Sequence, residues 1–307
     1  MNIFNTAFFF SIFRIATPIL LPTLAAVIGE KGGISNIGLE GIMMMSALFG
    51  SLTAYWTGAW WAGVLAAMVV GCLEALLMGF FAFRLKTDII LTGTAINMIG
   101  TGGTLFLVKI ITDSASTTGL ITKAHQIPSW NIPLIKDIPV LGPIISGQSI
   151  LTYIAFLLVW LTWVLLYKTP LGLNIRSVGE NPNAASSVGV SVDKIRFITI
   201  GIGGVLAGLG GAYMSMYYAM GWSQNMVAGR GFIALAAQSM GGGEPVGAML
   251  SALVFGFAQA LGVKVSASGG DSNLVNSIPY IVTILALVIF AIIQRSNEKR
   301  RHEHALQ

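Results

Sequence analysis

Two carboxylates stand in long apolar stretches of this chain, Glu40 and Glu74, and four amides share such surroundings: Asn36, Asn97, Gln238 and Gln259. A carboxylate at membrane depth is costly unless it faces a wet cavity or a paired donor. Each acid therefore marks either a transport pathway or a hydrogen bond that pins two helices. Amides both donate and accept, which suits moderate, reversible contacts to a neutral, hydroxyl-rich cargo, and they serve equally to tie helices together. These six are the candidate pathway residues. Groups that make and break bonds are scarce. The three histidines, His125, His302 and His304, lie outside the apolar segments, so neither a His-based catalytic site nor a metal cluster is expected among them. Cys72 is the single cysteine and lies in an apolar run, which excludes an intrachain disulfide and a Cys-based metal site. No G-x-x-x-x-G-K-[ST] is present, so the chain has no P-loop to cradle nucleotide phosphates. No catalytic residue, metal or cofactor of its own is expected; if ATP drives transport, another subunit hydrolyses it.

The elements that must position these groups are set by composition. The chain has 307 residues, of which 55% are hydrophobic and 9% charged, with a mean hydropathy of +0.79. Soluble domains carry about 25% charged residues, so an all-α polytopic membrane protein is expected. The apolar runs fall at 15–28, 42–55, 60–83, 89–111, 150–167, 197–218, 246–261 and 280–293. A ninth, 232–240, is too short to cross and is followed by Gly241, Gly242, Gly243, Glu244 and Pro245. The expected fold thus has about 8 to 10 transmembrane helices with a broken or re-entrant pair, because irregular backbone at membrane depth survives only where protein or a wet cavity satisfies it. Glycines 204 and 208 have small-xxx-small spacing, which favours close helix packing over a dinucleotide fold.

Basic residues cluster at Arg84 and Lys86, at Lys168, Arg176, Lys194 and Arg196, and in the tail at Arg295, Lys299, Arg300 and Arg301. By the positive-inside rule these segments are cytoplasmic, so the positive charge orients the chain rather than binding nucleic acid. This threading gives one transmembrane domain, 1–307, with an external loop at 112–149, a cytoplasmic loop at 168–196 and a basic cytoplasmic tail at 294–307. The N-terminus is external if 15–28 crosses, while Phe8 to Phe13 could lie in the interface. The first apolar stretch lacks a basic lead and a cleavage site and is expected to stay. Arg14, Arg230 and Lys264 sit near span ends and are expected to snorkel to the interface. Trp56, Trp60 and Trp61 read as an interfacial belt. In the cytoplasmic loop, Asn181 can cap a short helix at 183–188 with Pro182 in its first turn. A capped helix on the basic face is shaped to dock, or is simply a solvated loop helix.

Four motifs occur in order: Glu30-Lys-Gly-Gly-Ile-Ser-Asn-Ile-Gly-Leu-Glu-Gly41, Ile138-Pro-Val-Leu-Gly-Pro143, Gly179-Glu-Asn-Pro-Asn-Ala-Ala185 and Gly229-Arg-Gly-Phe-Ile-Ala-Leu-Ala-Ala237. Together the chain resembles, over nearly its whole length, the permease subunits of bacterial ABC importers for simple sugars and nucleosides. It is most similar to the nucleoside-type branch that works with a basic-membrane-protein-type receptor. The resemblance implies the ABC importer permease fold, and that Gly179, Glu180, Asn181, Pro182, Asn183, Ala184 and Ala185 form the coupling helix seated on a cytoplasmic ABC ATPase, which uses ATP and Mg. It further implies a second permease subunit, often a paralogue, a substrate-binding protein at the external loops, and alternating access in the cell membrane with a cytoplasmic C-terminus. A nucleoside cargo is expected, with a monosaccharide such as ribose or galactose as the alternative. An ion-coupled secondary transporter, using Glu40 or Glu74, is the reading from a different class.

Overall fold

The computed structural model describes residues 5–112, 117–118, 125–132, 141–267 and 288. The expected crossing at 280–293, the tail at 294–307 and much of the 112–149 loop lie outside the described residues. Within them the chain is helical, with no named strand and two isolated bridges. Six helices among the described residues are long and apolar enough to cross a membrane.

The first, α1 (Thr6–Lys31), is a single helix. It begins where the Asn5 side chain accepts the Phe8 amide at 2.9 Å, so the aromatic run at 8–13 is continuous with the helix that holds the apolar run at 15–28. Buried along most of its length, α1 packs on α7, α10, α11 and α12, described below. Pro18 lies inside it and has no N–H to offer the Arg14 carbonyl. The Tyr213 hydroxyl donates to that carbonyl instead, at 3.1 Å, so the acceptor released by proline is satisfied from a neighbouring helix.

A hairpin follows, α2 (Leu39–Thr57) and α3 (Trp60–Gly79), with Gly58 at φ 67° between them and Trp56 and Trp61 exposed at the turn. A π turn, Phe80–Arg84, ends α3. The next crossing is α4 (Ile89–Met98), a π turn at Ile99–Gly103, and α5 (Thr104–Thr112). After a short α6 (Leu141–Ile145) come α7 (Ile150–Lys168), α8 (Pro170–Glu180) and α9 (Pro182–Ser187). The last described helices are α10 (Val192–Tyr213) with a π turn at Met214–Tyr218, α11 (Arg230–Met240) and α12 (Pro245–Ala267).

Glycine sets the closest approach. A Cβ on Gly204 would meet the Gly71 carbonyl and stand 2.5 Å from the Ala75 Cβ, and one on Gly208 would strike the Ala67 carbonyl. The spacing of 204 and 208 therefore lets α10 lie directly on α3, as small-xxx-small pairs do.

Candidate functional site

The N-terminus of α2 is where predicted residues converge. Asn36 is buried, and its Oδ1 accepts the Gly38 amide at 3.0 Å, fixing the turn that starts the helix. From α4, Asn97 accepts the Gly41 amide at 2.7 Å and donates to the Ile37 carbonyl at 3.0 Å. A side chain at Gly41 would collide with the Ile96 carbonyl, and one at Gly100 with the Gly41 backbone. The π turn at Ile99–Gly103 thus lies against the first turn of α2, and π turns inside α-helices recur at functional sites.

Glu40 reaches from this junction to α11. Its two oxygens accept the Gly229 and Gly231 amides, each at 2.7 Å. Gly229 is the residue before α11, has φ 79° and offers no side chain to cap it. The Glu40 carboxylate is therefore the cap of α11, supplied by another helix, at the end where the helix dipole favours an anion. Asn36, Glu40 and Asn97 form one constellation joining α2, α4 and α11.

The other three candidates stand elsewhere. Gln238 is buried near the opposite end of α11, where its Oε1 accepts from the Ser239 hydroxyl at 3.3 Å. Glu74 is buried on α3, one turn beyond Gly71, with Oε2 lacking a hydrogen-bond partner. Gln259 is half-buried on α12, which packs on α1, α11 and α7.

Two expectations are overturned beside this constellation. Arg230 does not snorkel: it is buried, donates to the Val227 carbonyl at 3.0 Å and lies 5.0 Å from the Tyr218 ring. Arg14 likewise turns inward, donating to the Tyr218 carbonyl at 3.1 Å with its guanidinium 5.4 Å from that ring. Aromatic faces and backbone carbonyls inside the bundle hold both cations, which their position near span ends does not reveal.

A second cluster lies at the far end of α11. Lys31, the last residue of α1, pairs with Glu244 at 2.7 Å, and the Tyr167 hydroxyl donates to the same carboxylate at 2.6 Å. Burial pushes the Glu244 carboxyl up, but hydrogen bonds from Lys31 and Tyr167 outweigh this and hold it below the usual carboxylate range. Arg176 of α8 lies 4.9 Å from the Tyr167 ring and donates to the Leu166 carbonyl at 3.0 Å. The turn between α11 and α12 is thereby tied to α1, α7 and α8. Sequence reasoning passed over this cluster, although an acid after three glycines was a signal for it.

The predicted cap is present: the Asn181 side chain accepts the Asn183 and Ala184 amides, each at 3.1 Å, and α9 runs Pro182–Ser187. The preceding α8 was not expected. Its start, where the Thr169 hydroxyl accepts the Gly172 amide at 3.1 Å and Pro170, which lacks an N–H, follows, repeats the device. Gly179 abuts the Lys31 carbonyl, and a cavity of about 730 Å³ lies between the end of α1 and α8–α9, lined by Lys31, Tyr167, Arg176, Glu180 and Asn181 among others.

A family model described as the branched-chain amino acid transport system permease component matches residues 8–293. The chain belongs to this permease family. Among curated relatives, the permease is 40% identical to the guanosine ABC transporter permease protein NupQ of Bacillus subtilis, over 90% of this chain and 89% of that one. It is 35% identical to the nucleoside ABC transporter permease protein NupC of Lactococcus lactis, with the same coverage. A second permease protein from each organism, NupP and NupB, matches at 26% and 25% over 91% and 90% of this chain, and over 80% and 78% of its own length. In fold it is similar to a solved structure, PsaBC from Streptococcus pneumoniae in complex with Fab, at a TM-score of 0.52 and 14% identity over 94% of this chain and 91% of that one. The permease is thus a multi-pass helical transport protein.

Proposed function

We propose that this permease is the membrane-spanning subunit of an ATP-driven nucleoside importer working by alternating access. The observation that carries the reading is the 40% identity, over nine-tenths of the chain, to a guanosine permease. As a translocation subunit it performs no hydrolysis itself. A partner ABC ATPase uses ATP and Mg on the cytoplasmic side, and a substrate-binding protein meets the external loop at 112–149. The chain forms one domain, 1–307, in the cell membrane, with the 168–196 loop and the 294–307 tail cytoplasmic, and it pairs with a paralogous second permease.

Helix lengths support eight to ten crossings with one broken. At 1.5 Å per residue the 11 residues of α11 span about 16 Å, half of a hydrocarbon core of about 30 Å. Residues 219–229 complete that crossing as irregular backbone, with positive φ at Met220, Gly221, Asn225, Ala228 and Gly229. The pathway then runs past the break. Asn36, Glu40 and Asn97 shape it where α2, α4 and α11 meet, and Gln238, Glu74 and Gln259 line its continuation. Gly179 through Ala185 seat on the ATPase, and the Lys31–Glu244–Tyr167 cluster carries their movement to α11.

Uptake of labelled guanosine, adenosine, uridine and ribose by cells with the gene deleted and restored tests the cargo. Nucleoside uptake should fall on deletion and recover, with ribose unaffected. A change in ribose alone would transfer the role to monosaccharides, and transport that survives ATP depletion would favour the ion-coupled alternative.

A further inference from the structure

Three crossings have an end in common near α8 and α9. The apolar stretch Trp60–Arg84 is followed after a four-residue turn, 85–88, by Ile89–Thr112, and Val192–Tyr218 starts beside them. The approach is close: a Cβ on Gly79 would stand 3.3 Å from both the Phe83 and the Phe197 rings, which pack edge to face at 5.5 Å. A turn this short between two crossings keeps Arg84 and Lys86 at the depth of the lipid headgroups, with Lys194 and Arg196 in the first turns of the third stretch. The Arg196 guanidinium lies 5.7 Å from the Phe83 ring, next in sequence to Arg84, and its Nε is buried without an acceptor. Lys86 is held at φ 53°, a conformation that residues with a side chain seldom adopt. The Leu85 and Thr87 amides on either side donate to the Phe80 and Phe81 carbonyls at 3.3 and 3.2 Å, so the turn is closed back on the π turn. Two acids are near, Asp88 and Asp193. Asp88 caps α4 by accepting the Ile90 and Leu91 amides at 2.8 and 3.0 Å, and none of the four cations has an ion pair among the described residues. Phe80, Phe81 and Leu85 are exposed beside them.

We propose that this junction binds an anionic phospholipid, its phosphate held by Arg84, Lys86 and Arg196 and an acyl chain lying along Phe80, Phe81 and Leu85. Unpaired cations at headgroup depth, next to exposed apolar side chains, match a ligand that is anionic at one end and hydrocarbon at the other. Under the orientation proposed above, the lipid belongs to the cytoplasmic leaflet, the one with a negative surface. It joins the turn between α3 and α4 to the start of α10. The site depends on the chain crossing a membrane and is independent of the cargo.

The full chain, purified in an uncharged detergent, is titrated with dioleoyl-phosphatidylglycerol, with dioleoyl-phosphatidylcholine and with inorganic phosphate, following retained adducts by native mass spectrometry. Phosphatidylglycerol should bind more tightly than phosphatidylcholine. Lys86→Gln should weaken that preference about fivefold, the contribution of one basic side chain near an anionic surface, and Arg84→Gln combined with it should weaken it about 25-fold. Arg84→Lys should retain it. Both side chains are exposed, so these variants leave the packed core intact. Phosphatidylglycerol carrying a diazirine in its acyl chain should label the peptide that spans 80–85. Equal affinity for the two lipids, or a preference unchanged in the double variant, would overturn the proposal. Inorganic phosphate competing as well as phosphatidylglycerol would assign the patch to a free anion, and a double variant that keeps its lipid preference but no longer co-purifies with the ATPase would assign it to a protein contact.

Discussion

Glu40 illustrates how one side chain can hold an irregular backbone at membrane depth. Its two oxygens satisfy two amides at the start of α11, those of Gly229 and Gly231, at 2.7 Å each, and both donors lose their acceptor if the carboxylate is removed. Leaving a buried donor unpaired costs about 1–3 kcal/mol, so Glu40→Ala should destabilise the purified chain by about 2–6 kcal/mol. Glu40→Gln keeps one acceptor oxygen and should lose about half as much; thermal unfolding in detergent reads both, and equal stability of all three proteins would remove the capping role. Glu244 is different because it is half-exposed, with 48% of its side chain accessible, and solvent screens its pairing. Its proposed role is in coupling. The carboxyl is held below its ordinary range by Lys31 and Tyr167, so the cluster is intact above the ordinary carboxylate pKa and is lost as pH falls through the lower, folded value. Transport per ATP hydrolysed in vesicles should therefore be steady at neutral pH and decline only at strongly acid pH. Glu244→Gln should lower that ratio at neutral pH and flatten its acid limb, whereas a wild-type profile in the variant would sink the coupling role of the cluster.

At the scale of elements, α11 is a short rigid strut with a carboxylate at each end, Glu40 from α2 and Glu244 in the turn to α12. In the proposed coupling, movement of α8 and α9 would reach it through Arg176, Tyr167 and Glu244, which touch one another in turn: the Arg176 guanidinium stands 4.9 Å from the Tyr167 ring, and the Tyr167 hydroxyl donates to Glu244 at 2.6 Å. Asn181→Ala removes the acceptor for two amides of α9 and should destabilise that helix by about 1 kcal/mol. Assembly should persist while ATP hydrolysis runs on with reduced uptake; unchanged uptake would show that α9 does not couple. Gly204→Val should instead weaken the bundle itself, because its Cβ would meet the Gly71 carbonyl and the Ala75 Cβ, and overpacking of this kind costs about 1–3 kcal/mol. A variant that unfolds at the wild-type temperature would contradict that contact. These two elements were legible in the sequence because their causes are local: a cap followed by proline at 181–182, and glycines four residues apart. What Glu40 binds was not legible, since its partner lies 189 residues away and no periodicity encodes that meeting. Arg14 and Arg230 misled for the same reason. Their placement near span ends is a local pattern, whereas the tyrosines that keep them inside come from another helix. The helix α8 was missed because Pro170 and Gly172 read as loop punctuation, although Thr169 and Pro170 form a helix start.

At the scale of the whole molecule, similarity to the relatives is uneven in a way that bears on assembly. Against Bacillus subtilis the chain is 40% identical to NupQ and 26% to NupP, and against Lactococcus lactis 35% to NupC and 25% to NupB. One permease protein of each organism is therefore its counterpart, and the other is a more distant paralogue. Had the chain served on both sides of a symmetric pair, no such division between two paralogues would be needed, and a two-fold contact would require the same patch to be self-complementary. The burial pattern is compatible with an outer face left for a partner or lipid: only 22% of the apolar stretch of the α4–α5 crossing is buried, against 83% for α1. The expected complex joins this chain to one copy of a NupP- or NupB-like subunit. In a strain lacking both permease genes, neither gene alone should restore nucleoside uptake, and the two together should. Differently tagged copies of this chain should fail to co-purify with each other from cells that express both genes, while each tag recovers the paralogue. Restoration by this chain alone, with its two tagged copies recovered together, would replace the heteromeric arrangement by a homodimer and would place the pathway between two identical α2–α4–α11 junctions.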